Sequence, residues 1–137
     1  MTSKISEALS VARGVISADP HFAGFQKFRI WDKRINETSL PAFGVGVPRW
    51  TDDDKQTQTS GEVVATIVIA LKRSDGDLES LAFEDAAAIK ALLLSALEDD
   101  EHMLNLQETT YQEDSAGEKP VSTLSMMFSF TYWPAAL

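Results

Sequence analysis

The run Val63 to Leu71 constrains this chain more than any other segment. Val63, Ala65, Ile67, Ile69 and Leu71 fall on one face of an extended backbone. Val64, Thr66, Val68 and Ala70 fall on the other. A strand that is apolar on both faces belongs in the middle of a sheet, with cover on each side. The spacing therefore predicts a central strand over Glu62 to Lys72. The run is far too short to cross a bilayer as a helix.

The chain has 137 residues, the size of one domain, and can bury roughly two thirds of its unfolded surface. We read 1–137 as a single domain. Ile5, Ala8, Leu9, Ala12, Val15 and Ile16 recur at helical spacing and predict a helix over Ser3 to Ser17, closed by Asp19-Pro20. Gln26 to Trp31 alternates as a strand. Pro41 to Trp50 is strand-like too; Gly44 and Gly46 suggest a bulge or close approach, and Pro48 an edge or a strand end. Thr51 to Gly61 (TDDDKQTQTSG) is polar throughout and reads as a mobile acidic loop. Ser74 to Asp77 reads as a turn. A helix over Leu78 to Leu97 is expected to bury Leu81, Ala82, Ala86, Ile89, Leu93 and Leu97. Glu84 and Asp85 suit the positive end of its dipole, whereas Glu98 to Glu101 should lie just past its C-terminus. Met103 to Gln112 and Val121 to Trp133 predict an antiparallel hairpin, with Leu124, Met126, Phe128, Phe130 and Tyr132 on one face. The expected fold class is α+β: a mainly antiparallel sheet of about five strands with two helices packed on one face. The second apolar face of the central strand then needs another cover, which a neighbouring subunit would supply.

The sequence contains no cysteine. That removes disulfides, thiolate nucleophiles, iron–sulfur clusters and Cys-type zinc sites, and points to a reducing compartment or to a particle that cannot depend on oxidation. Met1 to Ile5 lacks the apolar core of a signal peptide, so synthesis in the cytoplasm and no membrane association are expected. Net charge is −9, unevenly placed. Residues 1–50 hold seven Lys/Arg against four Asp/Glu; residues 51–137 hold five against seventeen. So acidic a chain does not coat nucleic acid through its general field. The asymmetry would let one face of a subunit attract a different face of its neighbour, and such heterologous contacts close into rings. The charges would equally serve solubility alone.

Three stretches, in order, resemble the tail terminator family of long-tailed bacteriophages, the lambda-type minor tail proteins. Leu40 to Val47 (LPAFGVGV) looks like that family's lead into an early strand, and Gly61 to Ile69 (GEVVATIVI) like its long central strand after an acidic loop. Leu124 to Tyr132 (LSMMFSFTY) looks like its final strand. The likeness is one of layout across nearly the whole chain. It implies a homo-oligomeric ring, a hexamer, that caps the tail tube, stops its growth and offers a surface to the head. The implied partners are other copies of the chain, the tail tube protein and head–tail connector proteins. DNA would pass through the ring without specific binding, and the protein would end in the virion tail. A head–tail joining or neck protein of similar architecture is the nearest alternative; a small ligand-binding domain or enzyme is the third.

The residues suggest two contact sites. Lys27, Arg29, Lys33 and Arg34, interleaved with Trp31, suit contact with an acidic neighbour or with phosphates; the same charges would also protect a sheet edge from aggregation. Trp50 borders the acidic loop carrying Asp52, Asp53 and Asp54, which could dock on a neighbouring ring; it could equally pack at the sheet margin. Three adjacent acids lack the alternating spacing of a calcium loop, and Asp75 to Glu79 suits turn and helix-cap duty better than metal binding. His21 and His102 show no zinc-type spacing, and no nucleophile elbow or phosphate-binding glycine loop occurs. No catalytic residue, metal or cofactor is assigned.

Overall fold

The computed structural model describes residues 4–27, 41–52, 63–74, 76–100, 102–114 and 120–132. Helix α1 spans Lys4–Ala18 and is followed by a 3-10 turn, Pro20–Phe22. Strands β1 (Gln26–Lys27), β2 (Ala42–Asp52) and β3 (Val63–Arg73) precede helix α2 (Leu78–Leu97). Strands β4 (His102–Asp114) and β5 (Val121–Tyr132) complete the order. They form one five-stranded sheet, β1-β2-β3-β5-β4. All pairings are antiparallel except β1 with β2, so the sheet is mixed and mainly antiparallel. The α+β expectation holds, and the expected C-terminal hairpin is present as β4 and β5.

β3 lies in the centre because it is the strand with most apolar surface to hide. Val63, Ala65, Ile67, Ile69 and Leu71 are buried. Their face joins one core with Phe43 and Val45 of β2, Leu104 of β4 and Leu124, Met126, Phe128 and Phe130 of β5. Both helices contribute to that same core: Ala8, Ala12 and Ile16 from α1, and Ala82, Ile89, Leu93 and Leu97 from α2. The alanine spacing of α1 lets its backbone sit close to β2, where Arg13 Nη2 donates to the Val45 carbonyl at 3.1 Å. Fully burying each large side chain here contributes roughly 1.5–3 kcal/mol before entropy is counted. On the opposite face, Val64, Thr66, Val68 and Ala70 are half-buried. No described helix packs there; both belong to the first face.

Several expectations are refined. The second strand does not end at Pro48; it runs on to Asp52, so Thr51 and Asp52 are strand rather than loop. Pairing shifts between Gly46↔Val68 and Arg49↔Thr66, a bulge that accommodates Pro48, which has no N–H to offer the ladder. Leu81 and Ala86 of α2 are only half-buried. Asp85, assigned above to the dipole, is instead 1% exposed on the buried stripe of α2. Glu98 caps α2 at its C-terminus, and Asp99 and Asp100 lie past the helix as expected; Glu101 lies outside the described residues. Asp77 caps its N-terminus through a 3.4 Å bond from the Ser80 amide. Gly76 supplies the turn with φ +92°, a left-handed backbone that side-chain-bearing residues avoid.

Candidate functional site

The residues singled out in the sequence do not converge. Lys27 is exposed in β1, paired with Phe43 at the start of β2. Trp50 is 54% exposed near the far end of β2. Asp52 closes that strand. Arg29, Trp31, Lys33, Arg34, Asp53 and Asp54 lie outside the described residues. Lys27 and Trp50 thus mark opposite ends of the sheet. The pairing ladder makes this explicit: Lys27, Phe43, Leu71, Leu124 and Tyr111 form one transverse row, and Trp50, Ala65, Phe130 and Leu104 another.

At the Trp50 end the structure assembles a site that the sequence reading did not identify. The first turns of α1 meet the last turn of α2 above the start of β4, leaving a cleft of about 120 Å³. Ala8, Val11, Leu97 and Phe130 give it an apolar floor; Lys4, Glu7, Asp99 and His102 are its polar lining. His102 lies flat on Phe130, with ring centroids 5.6 Å apart and planes 12° from parallel. Tyr132 stands beside both rings. His102 Nδ1 is 2.7 Å from Asp99 Oδ1. An ionised Asp99 carboxylate can only accept, so Nδ1 donates in this contact. Lys4 Nζ reaches Glu7 Oε2 at 3.9 Å, a solvent-exposed pair of small energetic weight. Glu98 and Asp100 flank Asp99 in sequence and are exposed, outside the lining of the cleft, where Glu7 and Asp99 face Lys4 and His102. The C-terminal carbonyls of α2 contribute negative potential at this end of the helix.

A second polar cluster gathers around the buried Asp85, beneath the 3-10 turn. Asp85 accepts from Arg73 Nε at 2.7 Å through Oδ2, and from Arg73 Nη2 at 2.9 Å through Oδ1. His21 Nε2 lies 2.7 Å from Oδ1 and donates to it. The Arg73 guanidinium also stacks 4.6 Å over the Phe25 ring, and Phe22 and Phe25 meet edge to face. Asp19 orders the turn by accepting from the His21 amide at 3.1 Å. Three elements are thereby tied to one carboxylate: α2, the end of β3 and the turn that leads into β1. The fork geometry of Arg73 is what a buried carboxylate requires, since a point-charge lysine could not satisfy both oxygens from one direction.

Both histidines are therefore held by aspartates: His21 by Asp85, 64 residues further on, and His102 by Asp99, three residues before it. One sequence signal was present. Position 85 falls on the apolar stripe Leu78, Ala82, Asp85, Ile89, Leu93, where a carboxylate demands a buried partner. Among the described residues no group of three or more His, Asp or Glu is arranged to hold a metal ion. No described helix is long and apolar enough to cross a membrane. No protein-family model matches the chain, and neither does any curated protein.

Proposed function

We propose that this chain is a structural subunit of a phage or prophage tail. It would form a homo-oligomeric ring, a hexamer if the resemblance carries that far, that caps the tail tube, ends its growth and joins the head. The observation that carries the reading is the one-sided helical layer. A central strand apolar on both faces has described helices on one face only, and that arrangement favours a protein completed by its neighbours. The order of helix, strands, central strand, helix and hairpin is also the layout on which the tail terminator resemblance rests. Contact through different faces of successive subunits suits the uneven charge, and it closes into a ring when the rotation permits.

Disrupting the gene in the phage or lysogen that carries it tests this reading. Electron microscopy is expected to show tail tubes of uncontrolled length without heads, restored by expression in trans. Tubes of normal length with defects confined to the head connector would instead place the protein in the neck.

A further inference from the structure

We infer that the outer face of α2 in one subunit packs on the open face of the sheet in the next, supplying the helix layer which that face lacks. The inference rests on the assembly reading above and names the contact that would build the assembly.

Described residues form both surfaces. α2 buries Leu78, Ala82, Asp85, Ile89, Leu93 and Leu97; on its opposite side Phe83, Ala87 and Ala91 recur every four residues, all exposed. Phe83 is 71% exposed, more than any other large apolar side chain among the described residues. A helix that is apolar outward as well as inward is suited to a place between two layers. The sheet has the complementary lack. From Val64 to Ala70 on β3, and from Ser125 to Thr131 on β5, its open face holds no charged side chain, in a chain that is 24% charged. Absence of charge is what the centre of a protein contact shows.

The two surfaces interlock by size. Ala70 and Ser125 are paired neighbours with small side chains, bounded on one side by Val68 and Met127 and on the other by Lys72 and Thr123. Lys72 Nζ donates to Thr123 Oγ1 at 2.9 Å and closes that end. A Phe83 ring seated on Ala70 and Ser125 lies beside the Lys72 ammonium, a favourable cation–π placement. With the helix running against β3, Ala87 falls about 6 Å further on, over the bulkier Val68 and Met127, and Ala91 about 12 Å further on, over Thr66 and Ser129. Large meets small at each step. That direction is also the one α2 takes in its own subunit: β3 and β4 both oppose β5, so the helix joining them runs back against β3. Successive subunits thus keep one orientation, as a head-to-tail contact requires, and the series closes into a ring when the rotation permits. Charge agrees with this register. Lys90, the single cation of α2, lies about 10 Å along the helix from Phe83, and Glu108, opposite Met127 on β4, about 7 Å along the sheet from the Ala70 row, a difference two long side chains can span. Neither has an ion-pair partner among the described residues.

Two variants test the contact. Phe83→Ser removes the anchor on the helix, and Ser125→Lys fills its seat on the sheet; circular dichroism checks that each folds. Sedimentation velocity is expected to show each shifted to monomer, with self-association weakened about tenfold or more. Mixed one to one, they have one intact helix face and one intact sheet face between them, so they are expected to give a heterodimer and nothing larger. Lys90→Glu and Glu108→Lys, both at exposed positions, decide the matter even where Ser125→Lys does not fold: each is expected to weaken association and the double reversal to restore it. Phe83→Ser that associates like the wild type would overturn this contact and leave the ring reading standing. Loss of association in Ser125→Lys alone would do the same, since it marks two sheets packed face to face. Variants that do not pair on mixing, or a double reversal no better than its single changes, would also overturn the contact. Wild-type chain that stays monomeric throughout would overturn both readings.

Discussion

Asp85 shows how much one residue organises here. A carboxylate 1% exposed in the middle of a helix is tolerated because Arg73 meets it with two hydrogen bonds and His21 with a third. Removing Arg73 would leave the buried Asp85 carboxylate without its counter-charge, and removing Asp85 would leave the part-buried Arg73 guanidinium without one. Asp85→Ala is expected to cost about 3–5 kcal/mol in urea denaturation. The paired change Arg73→Met/Asp85→Leu removes both charges together, and should cost less than Asp85→Ala alone. Equal or greater loss in the double variant would mean that the cluster stabilises by net attraction and does more than satisfy buried groups. The cluster was only half legible in the sequence. The misplaced acid stood on the apolar stripe of α2, but its partners come from 12 and 64 residues away, and no local periodicity reports such contacts.

At the scale of elements, the period-two and period-3.6 patterns located both helices and the strands because burial alternates so cleanly. Val63 to Leu71 and Ser122 to Phe130 bury alternate residues without a break. What the patterns could not give was the local irregularity. Pro48 suggests an edge or a strand end because proline has no donor, and the bulge beside it lets β2 run on for four more residues. β4 carries a second bulge between Leu106 and Glu108, which turns Glu108 to the side of Met127 and Tyr111 to the side of Leu124. Burial, with Glu113 and then Glu79 and Asp77 around it, pushes the Tyr111 phenol above its ordinary range. A tyrosine whose folded pKa is raised contributes stability that is full below its unfolded value of about 10 and is lost as pH climbs above it. Stability should therefore fall with alkaline pH more steeply in the wild-type chain than in Tyr111→Phe. Identical alkaline profiles would show that the phenol is solvated as in the unfolded chain.

For the whole molecule, the question is what completes it. The candidate contact residues were legible as types, a basic run and an exposed tryptophan, but their separation across the sheet was not. It follows from the sheet order, which brings Phe130 and His102 to the end away from Lys27. The distinction matters for assembly. Net charge of −9 makes whole subunits repel, yet at physiological ionic strength repulsion is screened beyond about 8 Å, so charges in direct contact decide the outcome. Native mass spectrometry of the wild-type chain across a hundredfold range of concentration, near physiological ionic strength, tests the central claim most directly. The account predicts a discrete closed oligomer, six subunits if the tail resemblance holds, growing at the expense of monomer as concentration rises. A strictly monomeric chain at the highest concentration would contradict it.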